Sequence, residues 1–202
     1  MTLSAIFSAN KRYRSRLPVH LSSAAALILL AISGASVAKE ADSALLDKLK
    51  LATNEVSGFD NQYDAQVWLV AKDRPLARII KDPSQRLALL KLIHSEARRA
   101  DLKPEIVLAL IEVESAFDSY AVSSAGAQGI MQVMPFWKKE LGRPEDNLIN
   151  PQTNLRYGCT ILKHYLDREQ GRLADALARY NGSYGQYWYA ERVLDTWDLH
   201  WR

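Results

Sequence analysis

Glu114 stands seven residues after Val107, in a run whose apolar side chains recur at helical spacing. On an ideal helix that offset places it about 20° from the middle of the apolar stripe, facing the core. Carboxylates seldom face cores. One at the edge of an apolar cleft has its ionised form disfavoured, so its pKa rises and it can act as an acid near neutral pH. Glu112 is rotated by roughly 200° from Glu114 and is expected to point to solvent. Asp118 lies four residues on, roughly 40° around the same face if the helix persists, about 5 to 6 Å away at Cβ. Such a pair suits two-carboxylate acid/base chemistry on a glycosidic bond, for which a retaining mechanism needs carboxyls about 5 to 5.5 Å apart. Asp118-Ser119 also stands where the helix is expected to end, and Asp at such a place holds a turn through its own backbone. Spacing alone leaves Glu114 two readings: a catalytic acid, or a buried carboxylate satisfied by amides or by Arg98 or Arg99.

Other chemistries lack their residues. His20, His94, His164 and His200 are scattered, with no paired spacing that would hold a metal. Cys159 and His164 are five residues apart, which puts them on different faces of a helix, so a Cys-His nucleophile is not expected. No glycine-rich phosphate or dinucleotide pattern follows a strand. Neither metal nor cofactor is predicted.

The elements that position these side chains read as helices throughout, so the fold class is all-α. Leu45, Leu46 and Leu49 mark a short first helix, and Tyr63, Val67, Trp68 and Ala71 a second ending before Pro75. Asp82-Pro83-Ser84-Gln85 is a strong helix start, with a capping carboxylate and Pro preset for the first turn. Leu87, Leu90, Ile93 and Ala97 follow at helical spacing. Pro104 opens the helix carrying Val107, Leu110, Ile111 and Glu114. Asn150-Pro151 opens another, with Leu155, Cys159, Leu162 and Leu166 as its buried line and Gly171 past its end. A short helix over Leu173 to Arg179 and a terminal one from about Tyr187 to Trp197 complete the set. Two stretches break this pattern. Ser123-Ser124-Ala125-Gly126-Ala127-Gln128-Gly129 and Tyr180-Asn181-Gly182-Ser183-Tyr184-Gly185 are either plain surface loops or places where backbone approaches a ligand closely.

The 202 residues carry 48% hydrophobic and 24% charged side chains, which suits one medium globular domain and excludes a disordered or polytopic membrane protein. Residues 1 to 38 hold Lys11, Arg12, Arg14 and Arg16 and no acid, so the chain beyond them stands near −1 although the whole carries +3. They read as a secretory signal: a basic start, an apolar run from Leu21 to Ala31, and Ser36-Val37-Ala38 before a chain beginning at Lys39. The apolar run falls short of the roughly 20 residues a membrane span needs, and no cysteine stands near its end to carry a lipid. A periplasmic or secreted bacterial protein is expected, with no stable anchor after cleavage. Without a basic patch, nucleic acid is not an expected partner.

Two runs, Ala109-Leu110-Ile111-Glu112-Val113-Glu114-Ser115-Ala116-Phe117-Asp118 and Ala121-Val122-Ser123-Ser124-Ala125-Gly126-Ala127-Gln128-Gly129-Ile130-Met131-Gln132-Val133-Met134-Pro135, resemble the catalytic domain of the soluble lytic transglycosylases (SLT). The resemblance continues through Asn150-Pro151 and Asn154 to Tyr180-Asn181 and covers about residues 83 to 200. It implies a goose-lysozyme-like helical domain over residues 83–202, preceded by a helical extension over 39–82 of unassigned role. It further implies that Glu114 is the sole catalytic acid/base, that Ser123, Gln132 and Met134 line a glycan groove, and that Gly129 lets backbone approach it. Tyr180 would sit near the glutamate, and Asn181 would contact substrate or orient the acid. Ile130 stands for the family's Leu and Arg179 for its Ala. The implied reaction cleaves the β-1,4 bond between N-acetylmuramic acid and N-acetylglucosamine in peptidoglycan and leaves 1,6-anhydromuramic ends. A lysozyme-type hydrolase, or a non-catalytic glycan-binding component of an envelope-spanning secretion or pilus apparatus, are the open alternatives. Tyr184, Tyr187, Trp188 and Tyr189 could stack on sugar rings, although their helical spacing favours core packing for at least half of them.

Overall fold

A computed structural model describes residues 62–141 and 144–202; the leader and the short helix expected around Leu45 to Leu49 lie outside the described residues. The described chain is all-α, with seven α-helices and a closing π-helical turn: α1 Gln62–Leu76, α2 Pro83–Arg99, α3 Pro104–Ser115, α4 Trp137–Leu141, α5 Pro151–Arg168, α6 Leu173–Asn181, α7 Trp188–Thr196 and the turn Trp197–Trp201. Among the described residues, β pairing is confined to isolated bridges in the loop between α3 and α4.

The helix starts follow from their caps. Asp82 Oδ1 accepts from the amides of Ser84 and Gln85 at 2.7 and 3.2 Å, and Asn150 Oδ1 from Thr153 at 3.1 Å, so two helix N-termini have free donors satisfied by their own side chains. α6 ends at Gly182, whose φ of 83° lets the chain reverse. The five-residue α4 has no counterpart in the spacing pattern.

α3 is the axis of the fold. Pro104 and every residue from Ile106 to Ile111 are buried, so it is apolar all round up to Ile111 and lacks the single core-facing stripe expected of it. α2, α7 and the C-terminal turn pack on it, α6 joins α5 to α7, and α5 packs on α2.

α1 differs from expectation in face and in end. It buries Ala65, Leu69 and Leu76 and leaves Tyr63 and Val67 largely exposed, and it continues through Pro75 to Leu76. Its buried side is fixed by long-range bonds: Asp73 pairs with Arg86 at 2.6 Å, Lys72 donates to the carbonyl of Trp201 at 2.5 Å, and the Trp68 indole donates to Glu105 at 2.7 Å. These tie α1 to α2, to α3 and to the end of the chain.

Candidate active site

Glu114 lies in the last turn of α3, where the helix passes from the buried core to a half-buried rim. The helix stops abruptly after it. Ala116 and Phe117 take left-handed φ values of 50° and 67°, a conformation that costs non-glycine residues about 1 to 3 kcal/mol each. The turn sends the buried Phe117 ring against Trp201, with ring centroids 5.5 Å apart. Because the helix ends here, Asp118 does not continue the face of Glu114. Its Oδ1 accepts from the Tyr120 amide at 2.8 Å, the turn-holding role that competed with catalysis in the sequence.

Burial is the strongest influence on Glu114 and raises its pKa above the ordinary carboxylate value. Two groups oppose burial without overcoming it. Tyr189 donates its hydroxyl to Oε1 at 2.5 Å, and the Arg192 charge favours the carboxylate. The phenols respond in kind. Burial and the nearby Glu114 charge hold both Tyr180 and Tyr189 well above the usual phenol range, so both are neutral donors. The bond from Tyr189 to Glu114 is what spacing missed, since nothing local distinguishes Tyr189 from its aromatic neighbours.

Glu112 does not point to solvent. Its Oε1 meets His200 Nδ1 at 2.8 Å and its Oε2 accepts from the Trp201 indole at 2.6 Å. With α3 covered on all sides, the back of its last turn faces the C-terminal turn, and Glu112 anchors it. Arg99, a candidate partner for Glu114, is committed to buried Glu96 at 2.6 Å; Arg156 binds the same carboxylate at 2.7 Å.

The small-residue loop is built against Glu114's helix. Asn154, fully buried on α5, is its keystone: Oδ1 accepts from the Met131 amide at 2.8 Å, and Nδ2 donates to the carbonyls of Gln128 and Leu148 at 2.7 and 2.8 Å. Gly129 is required there, because a Cβ at its φ of 75° would meet the Leu148 carbonyl at 2.3 Å and Asn154 Nδ2 at 2.4 Å. Gly158 on α5 serves the same end, since its missing side chain is the space Met131 occupies. Two further carbonyls are satisfied from flanking helices. Ser115 Oγ donates to Ile130 at 2.7 Å and the Tyr180 hydroxyl to Met131 at 2.8 Å.

The expected groove residues fall around this scaffold with distinct local duties. Ser123 Oγ accepts from the Ala127 amide at 3.0 Å, and Gln132 Nε2 donates to the carbonyls of Ala121 and Gly129 at 3.1 and 3.0 Å, so both side chains brace the loop. Met134 is half-buried beyond it, and Asn181 is exposed at the end of α6. Tyr180 is brought near Glu114, although the carboxyl's hydrogen bond comes from Tyr189. Of the four aromatics Tyr184, Tyr187, Trp188 and Tyr189, only Tyr189 is buried; the other three are 51%, 45% and 55% exposed, which overturns the expectation that at least half would pack in the core. Cys159 is fully buried and its thiol is pushed up to about 12, an inert group.

The chain is similar to several known proteins. The chain is 40% identical over 82 residues to a membrane-bound lytic murein transglycosylase C of Actinobacillus pleuropneumoniae serotype 5b (strain L20), covering 36% of this chain and 22% of that protein. It is 33% identical over 94 residues to a transglycosylase of Enterobacteria phage PRD1, covering 46% of this chain and 34% of that one. The chain therefore spans no more than 34% of the length of either relative. Among solved structures, an inactive mutant of lytic transglycosylase Slt from Pseudomonas aeruginosa matches 58% of this chain and 23% of its own, at 27% identity and a TM-score of 0.44. Residues 91–193, which include Glu114, its loop and both tyrosines, match the family described as the transglycosylase SLT domain, and the chain belongs to that family.

Proposed function

We propose that the protein is a peptidoglycan lytic transglycosylase, exported to the cell envelope, that uses Glu114 as its one acid/base. The observation that carries this reading is the half-buried Glu114 carboxyl, raised in pKa by burial and hydrogen-bonded by Tyr189, beside a rigid small-residue loop. Protonated Glu114 donates to the glycosidic oxygen between N-acetylmuramic acid and N-acetylglucosamine while the muramoyl C1 gains oxocarbenium character. The C1–O bond breaks and the leaving sugar departs carrying that proton. The Glu114 carboxylate then takes the proton of the muramoyl C6 hydroxyl, whose oxygen closes on C1. A 1,6-anhydro ring forms, no water is consumed, and Glu114 is returned protonated. The sugar's own N-acetyl carbonyl supplies assistance in place of a second protein carboxylate. The turn-holding bond of Asp118 favours this one-carboxylate scheme over a paired one.

In this reading Ser123, Gln132, Met134, Tyr180 and Asn181 border the groove, while the space left by Gly129 is taken up by Leu148 and Asn154 within the scaffold and not by the glycan. Residues 83–202 form the catalytic unit, with α1 packed on it; 39–82 are an N-terminal extension and 1–38 the export signal. No described helix is long and apolar enough to cross a membrane.

Mass spectrometry of the muropeptides released from purified sacculi tests the reaction. Anhydromuramoyl ends that vanish with Glu114→Gln, at a loss of about 10²- to 10⁴-fold in rate, are the expected result. Reducing muramic ends would make the protein a hydrolase, and lysis retained by Glu114→Gln would remove Glu114 from the mechanism.

A further inference from the structure

Arg179 precedes the Tyr180-Asn181 pair and is not spent on the groove. Its guanidinium binds the buried carboxylate of Glu169, and its Cζ lies 3.6 Å from the centroid of the Tyr184 ring. That stacking covers one face of Tyr184, while the side chain as a whole stays 51% exposed. The far end of the same loop is also tied down. The Tyr187 hydroxyl donates to Asp175 at 2.7 Å, and Asp175 is itself held by Arg172 at 2.6 Å. Trp188 follows, 55% exposed, its ring edge-on to Tyr189 with centroids 6.0 Å apart. Tyr189 is the residue bonded to Glu114. A line of contacts therefore runs from the catalytic carboxyl through Tyr189 to an open indole face and onto a loop pinned at both ends.

Exposed aromatic rings fixed in place are costly to keep in water and present flat apolar faces with polar edges. Pyranose rings offer the complementary surface, an apolar face of axial C–H groups rimmed by hydroxyls. Loop rigidity adds to the fit, since a pinned ring loses little freedom on binding.

We propose that Tyr184 and Trp188 form an aromatic subsite that stacks on N-acetylhexosamine rings of a glycan strand beyond the one at Glu114, with Arg179 as the positioning residue that holds Tyr184. This rests on the lytic transglycosylase reading and extends its substrate grip along the strand. The test uses the full chain carrying Glu114→Gln, so that sugar is bound and not consumed, titrated with peptide-free peptidoglycan glycan strands and with the N-acetylglucosamine tetramer. Trp188→Ala and Tyr184→Ala are each expected to weaken binding about three- to tenfold, and Trp188→Phe to restore most of the loss. Arg179→Lys keeps the charge beside Glu169 but loses the planar stack. It is expected to weaken binding when Tyr184 is present and to add nothing in a Tyr184→Ala background, a dependence that a general structural role would not produce. Unchanged affinity in Trp188→Ala and Tyr184→Ala, with Glu114→Gln still binding glycan, would overturn the subsite alone. If the Glu114→Gln protein binds neither probe, the transglycosylase reading falls and takes the subsite with it.

Discussion

The hydroxyl of Tyr189, at the start of α7, donates a 2.5 Å hydrogen bond to Oε1 of Glu114, in the last turn of α3. The bond joins two helices that pack on each other and fixes the orientation of the carboxyl that would carry the proton. It also sets a balance, because burial raises the Glu114 pKa while the phenol donor and Arg192 pull it down.

Replacing Tyr189 by Phe keeps the packing and removes the donor. The Glu114 pKa then rises further, since the group that favoured the carboxylate is gone. If Glu114 acts first as an acid, the alkaline limb of the rate profile for sacculus clearance moves to higher pH. The rate itself falls by about ten- to a hundredfold, the value of a hydrogen bond to a charged group. An alkaline limb that stays in place would contradict the balance.

Glu114→Gln should stabilise the protein as pH rises. A carboxyl with a raised folded pKa binds its proton more tightly in the native state than in the unfolded one. Its contribution to stability is therefore lost as pH climbs from the unfolded value near 4.5 through the raised folded value. The neutral amide has no such penalty. Thermal melts should show the variant gaining on wild type between acid and neutral pH; parallel curves would mean that Glu114 is not desolvated.

Glu112→Ala should do the opposite, costing stability and sparing chemistry. It strips the acceptor from the Trp201 indole and the His200 ring, and the N–H of a buried indole left without a partner costs about 1 to 3 kcal/mol. Urea unfolding read alongside activity per folded molecule checks both halves, and an unchanged midpoint would refute the anchoring role.

Asn154→Ala removes three hydrogen bonds at one buried point and strands the Met131 amide and two carbonyls. A loss of about 3 kcal/mol or more is expected. Gly129→Ala should match or exceed it, because the new methyl meets backbone at 2.3 Å. Denaturation midpoints close to wild type in either variant would show that the loop is not built around this contact.

Asp118→Asn retains an acceptor for the Tyr120 amide and removes the charge. Activity within about twofold of wild type is expected, since an Asn side chain holds such a turn equally well. A hundredfold loss would restore the paired-carboxylate mechanism.

The helical starts at Asp82-Pro83 and Asn150-Pro151, the stop near Gly171 and the odd placement of Glu114 were all legible along the chain, because caps and helical phase are set by neighbours within one or two turns. Which side of a helix gets covered is not a local property. α1 buries Leu69 and exposes Val67 because α2 and the chain end lie against that side; Glu112 turns inward because Trp201 and His200 arrive from the far terminus. The Tyr189 bond to Glu114 spans 75 residues, and the stacking of Arg179 on Tyr184 depends on Glu169 lying across a helix junction. Sequence spacing placed the acid at the end of a buried helix; the packing of distant segments chose its partner, its pKa and the aromatic loop beside it, since those energies arise only between groups that folding brings together.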